Sequence, residues 1–155
     1  MVATRFAVAA HILLLLATDD GSGRATSLRV AKSVNTNPVV VRRITGQLAR
    51  AGLVKVKRGP GGATLRLPAE RINLRDVWHA VNPDRAKPLI PIHPDPDPEC
   101  PVGHKVQRVL APVFQEAEAS MLGALSRVNL ESLVSEFESS SVTELQSARV
   151  ARRAR

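Results

Sequence analysis

Residues 37–52, Asn-Pro-Val-Val-Val-Arg-Arg-Ile-Thr-Gly-Gln-Leu-Ala-Arg-Ala-Gly, constrain this chain more than any other stretch, because they spell a helix with both ends marked. Asn37 is a favoured N-cap, since its side-chain oxygen can accept one of the orphan backbone N–H groups of a first helical turn. Pro38 follows where a missing N–H costs nothing. Gly52 ends the helix, because glycine enters the left-handed conformation without a side-chain penalty. Val41, Ile44, Leu48 and Ala51 recur at helical spacing and make one apolar face. Arg42, Arg43, Gln47 and Arg50 lie off that face. A helix that buries one side and offers arginines on the other suits a DNA groove. An ordinary surface helix with solvated arginines reads the same way, so the flanking sequence has to decide.

The charge is distributed unevenly. The 155 residues carry a net charge of +8. Residues 1–82 hold 13 Lys and Arg against 4 Asp and Glu, whereas residues 83–155 hold 9 against 10. Positive charge confined to one half points to a polyanion partner for that half. Aromatics are three Phe, one Trp and no Tyr. That scarcity argues against a stacking surface for RNA or single strands and favours backbone charge and groove contacts. A lone cysteine excludes an intramolecular disulfide framework and fits a reducing cytoplasm. Residues 6–17 are apolar, but no small-x-small cleavage site follows and the run is too short to span a bilayer. They are expected to be a core helix, and no membrane partner is expected.

Along the chain, residues 4–18 predict a first helix with Phe6, Ala9, Ala10, Leu13, Leu14 and Ala17 inside. Thr18 to Gly23 is a polar turn. Thr26 or Ser27 can cap a short helix reaching about Val34, with Leu28, Ala31 and Val34 inward. Asn35 to Asn37 turns into the arginine helix, giving a helix-turn-helix whose second helix would enter the major groove. Val54 and Val56 alternate with Lys55 and Lys57, and Leu65 and Leu67 alternate with Thr64 and Arg66. These are two half-buried strands joined through the tip Arg58-Gly-Pro-Gly-Gly62. Beside a recognition helix such a basic hairpin is a wing whose tip can reach the minor groove, although edge lysines on an ordinary surface hairpin look alike. The glycine run lacks the Gly-Lys-Ser/Thr ending of a phosphate loop and leads into no helix. Asn73 can cap a helix from Leu74 to about Val81, with Leu74, Val77, Trp78 and Val81 packed inward.

Residues 83–101 contain seven prolines and predict a long loop holding His93, Asp95, Asp97, Glu99 and Cys100, with His104 just beyond. From about Val102 to Val128 a helical period returns through Val106, Leu110, Phe114, Ala117, Met121, Leu125 and Val128. Pro112 is expected to bend that helix or mark a break in it. A long amphipathic helix after a complete small domain needs a partner, and a second copy is the simplest supply. Folding back on its own domain is the alternative. Asn129 can cap a last helix, Leu130 to Phe137, and residues 138–155 form a Ser-rich, then basic, tail expected to be disordered.

The order of these pieces resembles the bacterial winged-helix transcription regulators that include IscR, NsrR and CymR. The residues that carry the resemblance are Leu48-Ala-Arg-Ala-Gly-Leu-Val54, Lys57-Arg-Gly-Pro-Gly-Gly62, Ile72-Asn-Leu-Arg-Asp-Val-Trp-His-Ala-Val81 and Cys100-Pro-Val-Gly103. It covers residues 1 to about 137. It implies homodimers on partly palindromic operators, with the long helices crossing at the dimer interface. Many members hold an iron–sulfur cluster through three cysteines in this loop. Here only Cys100 is present, and even a dimer would offer two thiolates, so no cofactor is expected. For Cys100 a thiol switch and a purely structural thiol both stay open. A divalent metal held by His93 and His104 is a remote third reading.

The expected fold is mainly α with a small β-hairpin. A winged helix-turn-helix DNA-binding domain spans 1–82, a Pro-rich sensor-type loop 83–101, dimerisation helices 102–137 and a basic tail 138–155. The expected function is a sequence-specific, homodimeric, double-stranded-DNA-binding repressor in the cytoplasm. Val39, Val40, Arg42 and Arg43 would read the groove. Asn37, Arg50 and Lys57 would hold phosphates, and Arg58 with Gly59 and Gly61 would enter the minor groove. Winged helices also serve as protein–protein adaptors, and a metal- or cluster-sensing regulator is a variant of the first reading. An enzyme is not expected, because no base, nucleophile and orienting group converge.

Overall fold

Four side-chain caps set the helix boundaries of the fold, which is a computed structural model describing residues 2–19, 26–57, 62–84 and 87–139. Helix α1 runs Val2–Ala17. Thr26 caps α2, Ser27–Val34, by accepting from the Arg29 N–H. Asn37 caps α3, Pro38–Arg50, its Oδ1 taking the Val39 N–H at 2.8 Å. Asn73 caps α4, Leu74–Val81, through the Asp76 N–H at 2.9 Å. Asn129 caps α6, residues 130–139, through the Ser132 N–H at 2.8 Å. Each cap satisfies a backbone donor that the first helical turn cannot.

The turn between α2 and α3 is short because α2 ends on a left-handed residue. Asn35 has φ 54, and the Thr36 N–H returns to the Ala31 carbonyl at 3.0 Å. Asn is one of the few side chains that tolerates this conformation. Helix α3 ends in the same way at Gly52, φ 78, with the Leu53 N–H on the Leu48 carbonyl at 3.0 Å. Strand β1, Val54–Val56, then pairs antiparallel with β2, Ala63–Leu65, in the register Val54 to Leu65 and Val56 to Ala63. The wing is therefore shorter than the alternation predicts. Leu67 falls outside β2 and is exposed, because Pro68 and a 3₁₀ turn at Ala69–Arg71 take the chain away.

The core gathers Ala9, Ile12 and Leu13 of α1, Val30 and Ala31 of α2, and Val41, Ile44 and Leu48 of α3. Leu53, Val54, Ile72, Val77 and Val81 complete it from the hairpin and α4. Leu28, expected on the inner face of α2, is instead 70% exposed, because the core side of this helix is set by Val30 and Ala31. Trp78 is buried and meets Phe6 edge-on, with ring centroids 5.3 Å apart at 70°. Leu130, from the far end of the chain, is also buried in this core.

Helix α5, Gly103–Ser126, runs unbroken through Pro112, so the break that proline could have marked does not occur. The proline removes one amide donor, and the carbonyl four residues earlier belongs to exposed Arg108, where water can replace it. Helix α5 packs on α4 but buries none of its residues, and Val109 and Val113 stand 60% and 57% exposed. At its end the chain returns to α4. Asn73 and Asn129 form an isolated antiparallel bridge, with the Leu74 N–H on the Val128 carbonyl at 2.9 Å and the Leu130 N–H on the Ile72 carbonyl at 2.8 Å. Among the described residues no helix is long and apolar enough to cross a membrane.

Candidate nucleic-acid interface

The apolar periodicity of α3 turns Val41, Ile44 and Leu48 into the core and leaves the opposite side in solvent. On that side Arg42, Arg43 and Arg50 are all exposed. Val39, in the first turn, is 59% exposed, whereas Val40 is half-buried against the core. Of the two valines assigned to the groove, Val39 has its side chain free. Asn37 is exposed, but its Oδ1 is engaged in capping, so what it presents outward is the positive end of α3. Gln47 is half-buried rather than displayed, and its Oε1 is buried without a hydrogen-bond partner among the described residues.

Lys57 continues from β1, is exposed, and donates its backbone N–H to the Gly62 carbonyl at 3.0 Å. That bond closes the described base of the wing. Arg58, Gly59 and Gly61 lie outside the described residues, as does most of the turn from Thr18 to Gly23 and of the tail beyond 139. No carboxylate among the described residues pairs with Arg42, Arg43, Arg50 or Lys57. An ion pair between Lys87 and Asp84 at 3.4 Å lies elsewhere. The α3 face and the wing base thus present unneutralised cations beside one another, as a phosphate backbone requires.

Residues 2–136 match the family described as Rrf2, iron-dependent transcriptional regulator. The chain belongs to the Rrf2 family. YwnA of Bacillus subtilis, a protein named for an HTH-type transcriptional regulator, is 37% identical over 134 residues, covering 86% of this chain and 97% of YwnA. A solved structure described as a DNA-binding protein is 35% identical and superposes with a TM-score of 0.65, covering 83% of this chain and 97% of that one. The oxidized form of Staphylococcus aureus CymR shares the fold, with a TM-score of 0.61 at 23% identity and coverage of 86% and 95%. Like other Rrf2 proteins, this one is an HTH-type, DNA-binding transcription regulator with a winged-helix fold, and not an enzyme.

The Rrf2 description specifies iron, so the donor set deserves a direct test. Cys100 is the sole thiol. His104, four residues on, turns its Nδ1 to the Cys100 carbonyl oxygen at 3.2 Å. His93 is exposed, and its backbone carbonyl takes a hydrogen bond from Gln107. Among the described residues no three His, Cys, Asp or Glu side chains converge as metal ligands. One thiol and two histidines do not make up the thiolate set that an iron–sulfur cluster needs. The backbone N–H groups of Gly103 and Val102 hydrogen-bond the Cys100 thiol and lower its pKa from the ordinary value. Desolvation of the thiol acts in the opposite direction, and the two amide hydrogen bonds outweigh it.

Sequence reasoning missed one feature. Between α3 and the wing lies an open slot of about 490 Å³. The strand alternation put Val56 on the same inward face as Val54. Val54 is buried, but Val56 borders the slot and is 52% exposed. The signal available in the sequence was Gly46, a glycine in the middle of a helix, which also lines the slot.

Proposed function

We propose that the protein acts as a homodimeric repressor, with α3 in the major groove and the wing against the flanking backbone. The observation that carries this reading is the array on α3: exposed Val39, Arg42, Arg43 and Arg50 around a helix N-terminus, with Lys57 alongside and no described carboxylate neutralising them. Arg42 and Arg43 would read guanine through their forked donors, and Val39 would touch a thymine methyl. Arg50, Lys57 and the α3 N-terminus would hold phosphates. Arg58, Gly59 and Gly61 would enter the minor groove. The exposed apolar face of α5 supports a second copy, and a dimer covering promoter DNA represses in the simplest way.

The test is binding to the DNA upstream of the protein's own gene against random DNA of equal length, across a range of salt. A preference of about a thousandfold or more is expected for a sequence-reading regulator. Equal binding to both DNAs would favour the adaptor reading. A second element, a thiol response, rests on the Gly103 and Val102 amides that favour the thiolate of Cys100. Operator binding that changes with oxidant in the native protein but not in Cys100→Ser is the expected result. Indifference of both proteins to oxidant would make the thiol structural.

A further inference from the structure

We propose that the slot between α3 and the wing binds a small amphipathic anion, an acidic group on an apolar body, and that its occupancy excludes DNA. The exclusion rests on the DNA-binding reading above; the binding does not. The slot has the size and chemistry of a small-molecule site, since such sites run from about 300 to 1,000 Å³ and combine aliphatic walls with a few placed polar groups. Ile12, Leu16, Val30 and Val41 of the core lie beneath its floor, each no more than 9% exposed, and the apolar surface open to a ligand comes from Val56 with half-buried Ala49 and Ala63. Val56 forms the hairpin wall, and its exposure is that of a core-facing side chain that no described residue covers.

The rim supplies the charge. Arg42 and Lys57 line the opening, and no acidic residue is among its described lining. An apolar floor under two cations selects an amphipathic anion over a neutral ligand or a metal. A sugar–phosphate strand would satisfy the rim, but it would leave the aliphatic floor uncovered.

Gly46 is the independent observation. Glycine inside a helix is destabilising relative to alanine. No packing demand among the described residues explains it, because there a Cβ at this position would meet nothing nearer than Arg50 Nη1 at 3.8 Å. The missing side chain widens the slot. Arg42 and Lys57, the cations that would hold the ligand's acid group, are the ones assigned to groove and backbone, so ligand and DNA compete for the same charges.

The probe is 8-anilinonaphthalene-1-sulfonate, an anionic fluorophore with an apolar body, titrated into the full chain without DNA. Saturable binding at one site per chain is expected. Gly46→Leu fills the slot, Val56→Glu places a repelling carboxylate at an already exposed position, and Lys57→Ala removes a rim charge. Each should weaken the probe by about tenfold or more, the scale of a lost charged contact. Circular dichroism verifies folding, and Val56→Glu decides the matter where Gly46→Leu does not fold. Unchanged affinity in all three variants would place the probe elsewhere, on the α5 face for example, and overturns the proposal, as does the absence of saturable binding. With the slot filled, duplex DNA should be released at low salt. Retention of DNA at full affinity overturns the competition. Failure to bind duplex even without probe would overturn the DNA reading instead, leaving the slot decided by the first titration.

Discussion

Gly46 and Cys100 are single residues whose surroundings make measurable demands. The helical interior around Gly46 has room for a Cβ. Gly46→Ala should therefore stabilise the fold by up to about 1 kcal/mol, the helix-propensity difference. A chain of this size should show that as a melting-temperature rise of about 2–4 °C. A fall would mean that α3 has a steric constraint at this position. For Cys100, the Gly103 and Val102 N–H groups favour the thiolate. The rate of alkylation by iodoacetamide should rise with pH through a midpoint below the ordinary cysteine value. A midpoint at or above that value would remove the basis for a thiol switch. At this scale the sequence was most informative where chemistry is local. The caps Asn37, Asn73 and Asn129 can be read from the chain because each contacts an N–H two or three residues away. Arg43 and Val39 were legible from helical phase alone. The half-burial of Val40 and Gln47 was not, because it depends on what α3 leans against.

Elements meet at two junctions that composition does not reveal. At the start of α5, a Cβ added to Gly103 would run into the Asp97 carbonyl oxygen and approach Cys100 Cβ at 3.2 Å. Backbone cannot yield as a flexible side chain does. Gly103→Ala should cost about 1–3 kcal/mol, as overpacking does, and should shift the alkylation midpoint of Cys100 upward by displacing the two amides. At the other junction, Leu130 is 1% exposed in a core built mostly from residues before 82. Leu130→Ala should destabilise by about 2–5 kcal/mol in urea unfolding followed through Trp78 fluorescence. A loss under 1 kcal/mol would mean that α6 only rests on the domain. The long-range pairing of Asn73 with Asn129 spans 56 positions and carries no local signature, so the sequence offered a return of the chain onto its own domain only as the alternative to a second copy. The hairpin was foreseeable from alternation, but its extent was not, because Pro68 ends it before Leu67 can pair.

As a whole, the molecule concentrates its positive charge in one half and leaves apolar side chains of its long helix in solvent in the other. The first 82 residues hold the cationic excess, and the α5 face holds Val109 and Val113 in solvent. Val109→Glu combined with Val113→Glu should convert a dimer into a monomer in analytical ultracentrifugation while leaving the helical spectrum intact. An unchanged sedimentation coefficient would mean that this face is not where copies meet. On DNA, Arg43→Ala should relax specificity, with about 1–3 kcal/mol lost on the operator alone. Lys57→Ala should weaken operator and random DNA alike and lower the salt slope by about one. Equal losses on both DNAs for both variants would reverse these assignments.

The return of the chain onto α4 has a geometric consequence. Helix α5, 24 residues and so about 36 Å long, is fastened at its far end by the Leu74–Val128 and Leu130–Ile72 hydrogen bonds. In a dimer joined through α5, each reading head would be bolted to a girder rather than hung from a tether. The distance between the two heads would then be a fixed gauge. One base pair inserted at the centre of an operator shifts a half-site by about 3.4 Å and turns it by roughly 35°. A tethered pair of heads would follow that shift, but a bolted pair has to strain either the clasp or the DNA. Such a regulator should reject mis-spaced operators nearly as firmly as misspelled ones.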